Sequence, residues 1–197
     1  MLEFALAALF LVITPGPGVL STAGVGSAFG YRAGLAYVGG LFVGNFTVAL
    51  MVITGVAAAV LAVPGLRQVL LFASVAYLCY MALRIALAGA KVGFIEAREV
   101  PGFWNGFALQ PINPKAYVVS TTLFSGFAFM PEALWAETII KLVIFNALWI
   151  PIHLLWLWIG VTIRRLELPG RVQRGINIAM ALAMLAVVGL ALVSGQG

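Results

Sequence analysis

The sequence predicts an all-α membrane protein of about six transmembrane helices, arranged as two inverted three-helix repeats with helices 1 and 4 broken. Three observations predict it: a composition that water cannot solvate, a series of long apolar runs, and a pair of proline-rich interruptions half a chain apart. Of 197 residues, 63% are hydrophobic and 9% charged, whereas a soluble globular domain carries about 25% charged residues. So few charges cannot cover that much apolar surface in water, and lipid removes the need. The length suits one compact domain.

A hydrocarbon core of about 30 Å needs about 20 apolar residues per helix. Spans are expected near 2–23, 36–62, 66–88, 103–129, 134–162 and 175–194. The first reads as a structural helix and not a cleaved leader, because it carries Glu3, no Lys or Arg, and no A-x-A site after it. Gly30-Tyr31-Arg32 and Pro64-Gly65 carry turn signals. Only 89–102 reads as a hydrophilic loop, and it separates a first repeat at 1–88 from a second at 103–197. A five-span topology with a re-entrant fourth segment is the alternative.

The basic residues fix an orientation. Arg32, then Arg84, Lys91 and Arg98, then Arg164, Arg165, Arg171 and Arg174 follow spans one, three and five, against Arg67 and Lys141 on the other side. The positive-inside bias then places both termini outside the cytoplasm of a multi-pass protein in the cell (plasma or inner) membrane. The net charge of +5 serves that orientation and not nucleic acid. Trp104 and Trp135 sit near span ends, where an aromatic belt belongs. Ala36, Gly40 and Gly44 recur every four residues, a smooth stripe for helix approach. The stripe fits internal packing, and it also permits a homodimer.

The first span contains Thr14-Pro15-Gly16-Pro17-Gly18 and the fourth contains Pro111-Ile112-Asn113-Pro114-Lys115. Proline removes a backbone donor and clashes with the preceding turn. Thr14-Pro15 and Asn113-Pro114 both read as an N-cap followed by proline at the first helical position. Each lies 11–12 residues into its span, about 17 Å at 1.5 Å per residue, near the bilayer middle. Irregular backbone at that depth is tolerated only where protein buries it or a wet cavity solvates it. A half-helix N-terminus there exposes amide donors and suits a carboxylate, with Lys115 adding a full charge. Thr14, Pro15, Gly16, Pro17, Asn113, Pro114 and Lys115 are therefore the expected substrate-binding residues. The bland reading is two packed kinks.

The breaks lie 99 residues apart, and each opens a group of three spans. An odd number of spans forces the second group to enter from the opposite side, giving an inverted repeat with its site at the paired interruptions. Asn45 in helix two has a counterpart in Asn146 in helix five, and both join the expected site as pathway or packing residues. His153, the single histidine, is the one side chain that titrates near neutral pH without perturbation, so it is a candidate proton carrier. Glu137 is the other coupling candidate, although its i,i+4 spacing to Lys141 favours a local ion pair. Ser120, Thr121, Thr122 and Ser125 either wet a path or satisfy backbone at the break.

The chain also resembles the lysine-exporter (LysE/RhtB-type) family of amino-acid efflux proteins. The resemblance is carried by TPGP at 14–17, GYRAGLAYVGGLFVGN at 30–45, AYLCYMALR at 76–84 and GFALQPINPKA at 106–116, and it spans essentially the whole length. It implies a secondary transporter that exports amino acids or related small metabolites from the cytoplasm, in exchange for protons. Family members usually carry Asp or Asn directly after TPGP, where this sequence has Gly18.

Other classes fit less well. One His, one Cys (Cys79) and no Asp leave no metal cluster, disulfide framework or cofactor motif. No strained G-x-S-x-G turn marks a nucleophile, so an intramembrane enzyme is not expected. A channel would use broken helices without alternating access. A scaffold would explain the hydrophobicity but not the paired breaks. The expected partners are a small-molecule substrate and the lipid bilayer, with no nucleic acid, metal or cofactor.

Overall fold

The computed structural model describes residues 1–63, 65–87, 100–166 and 168–194, and among them every regular element is helical. Residues 89–99 of the expected hydrophilic loop, with Lys91 and Arg98, lie outside the described residues, as does Pro64. The elements are α1 (Leu2–Ile13), α2 (Pro17–Phe29), α3 (Tyr31–Ile53), α4 (Val56–Leu61), α5 (Leu66–Ala86), α6 (Phe103–Ile112), α7 (Pro114–Thr121), α8 (Leu134–Arg165) and α9 (Gly170–Ser194), with a π-helical turn at Thr122–Gly126 after α7.

Two helices, α3 and α8, are long and apolar enough to cross a bilayer, and α1 with α2 qualifies as a pair bent by 49°. Helices α5 and α9 occupy the ranges of the third and sixth expected spans. The boundaries differ from expectation where glycine sets them. The first span runs to Phe29, because the turn comes at Gly30 with φ 88°. The second starts at Tyr31 and stops at Ile53, and Gly55 with φ 76° detaches α4 from it. Only residues able to adopt positive φ make such stops cheaply.

Both proline motifs break helices, but in different registers. Asn113 is the N-cap of α7, its Oδ1 accepts the Lys115 amide at 3.1 Å, and Pro114 takes the first helical position. Thr14 does not cap α2. Its hydroxyl donates to the Phe10 carbonyl at 2.5 Å and closes α1 instead. Pro15 falls in the link, and α2 starts one proline later, with extended Gly16 as N-cap and Pro17 at the first position. The Thr14 amide donates to the same Phe10 carbonyl at 3.2 Å, so amide and hydroxyl together close the last turn of α1.

The two broken helices run in opposite directions. Phe4 of α1 meets Phe124, Phe127 and Phe129 edge-on at one end of the bundle. At the other end the Arg164 guanidinium donates to the Ala28 carbonyl of α2. Helix α6 instead runs parallel to α3, with Phe103 against Gly40 and Phe107 against Gly44. The glycine stripe of α3 is thus consumed within the chain. A Cβ on Gly40 would stand 1.8 Å from the Phe103 carbonyl oxygen, and one on Gly106 would stand 2.0 Å from that of Tyr37. Ala36, the third stripe residue, is exposed.

Polarity is inverted relative to a soluble domain. Leu2, Phe72, Val143, Trp158 and Leu182 face outward, while Ser21, Thr22, Asn45, Gln110, Asn113, Glu137, Lys141 and His153 are buried. Trp104 and Trp135 are among the most exposed side chains, 74% and 82%, as residues seated in a headgroup region would be. Helix α2 is the centre of the bundle, buried throughout Pro17–Ser27. Two of its hydroxyls are satisfied locally, Ser21 Oγ on the Pro17 carbonyl at 2.5 Å and Thr22 Oγ1 on the Gly18 carbonyl at 2.8 Å, while Ser27 Oγ donates to Asn177 Oδ1 at 3.0 Å.

Candidate functional site

The two breaks, α3 and α8 line a partly open cavity of about 40 Å³. It is lined by Leu11, Val12, Gly16, Gly18 and Val19 of the first broken span, Asn45 of α3, Gln110, Asn113, Lys115, Ala116 and Val119 of the second, and Phe145, Trp149 and His153 of α8. That volume holds on the order of three waters, and the cavity is partly open to the surface.

Lys115 leaves the first turn of α7 and crosses to the first break, where its Nζ donates to the Thr14 carbonyl. Gly16 makes the crossing possible, since a Cβ there would lie 2.7 Å from Lys115 Cδ. The ammonium therefore sits on the carbonyl end of α1, where the helix dipole is negative. The side chain of Thr14 does not line the cavity, but its backbone anchors the one charged side chain that does so among the described residues.

The N-termini of the two half-helices are not equivalent. In α7 the Lys115 amide is taken by Asn113 Oδ1 and the Ala116 amide by the Asn113 carbonyl. In α2, Gly16 offers no side-chain cap, and the first amides of a helix lack intrahelical acceptors. The amides of Gly18 and Val19 thus open on the cavity that both residues line. Around them stand buried amide side chains. Asn45, 4% exposed, has no partner for its Nδ2. Gln110, 2% exposed, accepts the Asn113 Nδ2 at 3.2 Å through Oε1, which turns its own Nε2 toward Gly18.

His153 is held by α8 itself. Its Nδ1 lies 2.9 Å from the Trp149 carbonyl, and its ring stacks on the Trp149 indole with centroids 3.5 Å apart. A carbonyl only accepts, so Nδ1 carries the hydrogen and Nε2 faces Gly18 with a lone pair. Glu137 lies elsewhere. Sixteen residues earlier on α8, about 24 Å along the axis, it pairs with Lys141 at 2.7 Å and accepts the amides of Phe129 and Met130. Lys141 in turn reaches the Phe124 carbonyl at 3.4 Å and lies 5.9 Å from the Phe4 ring. This cluster ties the turn after the π-helix to the Phe4 end of the bundle.

Of the expected residues, Gly16, Asn45, Asn113, Lys115 and His153 converge on the cavity, and Pro15, Pro17, Pro114, Asn146 and Glu137 do not line it. Asn146 donates to the Leu142 carbonyl at 2.8 Å on its own helix. Ser120 is buried with its hydroxyl unpartnered, while Thr121, Thr122 and Ser125 are exposed. Sequence reasoning missed Gln110, Phe145 and Trp149. Gln110 carried a signal, being an uncharged amide inside an apolar run one turn before the break. The aromatics carried none.

The profile of the LysE type translocator family matches residues 9–196. The chain belongs to the LysE type translocator family. It is also similar to proteins named cysteine/O-acetylserine efflux protein. Those of Salmonella paratyphi A (strain ATCC 9150 / SARB42) and Salmonella typhi are each 28% identical over 120 residues. That of Escherichia coli (strain K12) is 27% identical over 120 residues. In each case the match covers 60% of this chain, and the chain spans 60% of the relative's length. No solved structure gives a significant match. Membership fits the exposed apolar surface and the buried polar groups together.

Proposed function

We propose that this translocator exports amino acids or related small metabolites from the cytoplasm by proton antiport, with the substrate carboxylate bound at the N-terminus of α2. The observation that carries the proposal is the convergence of donors without an anionic partner on one cavity. The Gly18 and Val19 amides, Asn45 Nδ2, Gln110 Nε2 and the Lys115 ammonium all face a space without a described carboxylate. Such a donor set at a helix N-terminus suits an anionic group. Asn113 orients Gln110 and the Lys115 backbone, while Thr14, Pro15, Gly16, Pro17 and Pro114 shape the breaks. Asn146 supports α8 from outside the cavity. Export is the direction in the names of the relatives.

Six spans in two inverted repeats, 1–88 and 103–197 joined through 89–102, would deliver this site to each side in turn. The opposed courses of the two broken spans support that arrangement. Both termini then lie outside the cytoplasm, in the cell (plasma or inner) membrane. For coupling we favour His153, whose Nε2 faces the cavity, over Glu137, whose oxygens are engaged by Lys141 and two amides. A dimer loses the support of the glycine stripe, which α6 covers.

The test is efflux from cells preloaded with labelled amino acids, with and without the protein, repeated after collapsing the proton gradient. Gradient-dependent, saturable loss of at least one amino acid is expected. Flux that does not saturate indicates a channel, and no flux across the panel with the protein present in the membrane refutes the proposal.

A further inference from the structure

We propose that the cavity selects zwitterionic over cationic substrates and that Gly18, the side-chain-free position facing His153 and Gln110, sets that selection. The inference rests on the exporter reading and narrows its substrate class.

The charge census comes first. Lys115 is the one charged side chain on the cavity among the described residues. Glu137 is remote and already paired with Lys141, and Glu3 and Glu132 are exposed away from the cavity. A carboxylate entering the site therefore meets an ammonium and a ring of amide donors. A substrate with a second positive charge meets Lys115 and finds no described counter-charge. Lys115 is half-buried at the cavity wall, where the repulsion is screened less than between fully exposed charges.

The hydrogen-bond directions sharpen this. The Lys115 amide donates to Asn113 Oδ1, and Asn113 Nδ2 donates to Gln110 Oε1. That chain leaves Gln110 Nε2 as a donor toward Gly18. His153 Nε2 offers an acceptor lone pair to the same place, and the Trp149 and Phe145 rings line the wall beside it. One acceptor nitrogen and two aromatic rings can receive a single α-ammonium. They supply no carboxylate for a lysine or arginine side chain.

Position 18 controls the balance because a side chain there enters the cavity without displacing its walls. A Cβ on Gly18 would stand 3.4 Å from His153 Nε2 and 3.7 Å from Gln110 Nε2, both ordinary contacts. Gly18→Asp would bring a carboxylate beside these nitrogens, supplying the missing counter-charge while occupying the donors meant for the substrate. Gly18→Asn adds the same volume without the charge.

The experiment uses the purified full chain in proteoliposomes and measures counterflow of labelled serine and alanine against lysine and arginine. Wild-type protein is expected to move serine or alanine at least tenfold faster than lysine or arginine. Gly18→Asp is expected to lower that ratio at least tenfold, and Gly18→Asn to slow all substrates while leaving the ratio unchanged. Lysine or arginine moving as fast as the zwitterions in the wild type overturns the charge selection. Equal ratios in Gly18→Asp and Gly18→Asn overturn the role of Gly18. Movement of no amino acid at all overturns the exporter reading, and the selection with it.

Discussion

The contact between α3 and α6 carries Gln110 to the cavity, and two adjacent glycines test it with opposite signs. A Cβ added at Gly40 would lie 1.8 Å from the Phe103 carbonyl oxygen, so α6 would have to retreat by about 1.6 Å to restore the 3.4 Å of ordinary contact. Overpacking costs about 1–3 kcal/mol when side chains can adjust, and a backbone carbonyl sets this case near 3. Replacing a helical glycine by alanine returns about 1 kcal/mol of propensity. The net loss for Gly40→Ala is about 2 kcal/mol, a drop in Tm of about 4–8 °C for a chain of this size. At Gly39 a Cβ would stand 3.8 Å from Phe103 Cδ2, ordinary contact. Gly39→Ala keeps the propensity gain and should raise Tm by about 1–4 °C. Thermal unfolding of the purified protein in detergent, with oligomeric state followed by size exclusion, reads both. A Gly40→Ala protein as stable as wild type refutes the α3–α6 seam. A change of oligomeric state without a change in Tm would assign the stripe to an interface between chains.

Lys115→Met should reduce amino-acid flux at least tenfold in the preloaded-cell assay while membrane insertion, followed by immunoblot of the membrane fraction, stays intact; unchanged flux removes Lys115 from the site. Glu137→Gln and Lys141→Met should each lower Tm, because removing one partner strands the other charge in the aromatic cluster around Phe4. The double variant should recover part of the loss, and strictly additive losses would mean that the two charges are not coupled. External acid should accelerate export by the wild type. His153→Asn, which lacks a titratable nitrogen at that place, should show reduced flux that no longer responds to an imposed proton gradient; a retained response moves coupling away from His153.

How far the sequence could be read depended on which physical signals are local. Proline and glycine act on their own backbone, so the two breaks and the stops near residues 30 and 113 were legible. Which residue caps a half-helix was legible only where a single outcome was available. Asn113 has one proline after it, and its amide serves both sides, Oδ1 capping the Lys115 amide while Nδ2 donates back to Gln110 Oε1, so it caps α7 as its type dictates. Thr14 had two choices, forward to α2 or back to the Phe10 carbonyl, and the second proline at 17 gave α2 a better first residue. That one-residue decision has a consequence for the site. With Thr14 turned back, the carbonyl end of α1 accepts Lys115, the uncapped amides of α2 face the cavity, and α7 is capped by its own asparagine. The symmetric pattern of the sequence suggested two equivalent anion-binding termini, and the folded chain makes one donor terminus and one anchored cation. Trp149, Phe145 and the retreat of Asn146 to its own helix depend on the rotation of α8 about its axis. A helix apolar on nearly all faces does not encode that rotation in its periodicity, since a period-3.6 stripe needs a polar face to contrast with. Tertiary contacts fix it instead, the Glu137–Lys141 cluster at one end and Arg164 on Ala28 at the other. Held at both ends, α8 presents His153 and Trp149 to the break, and so the residues that shape the site's selectivity are the ones periodicity could not place.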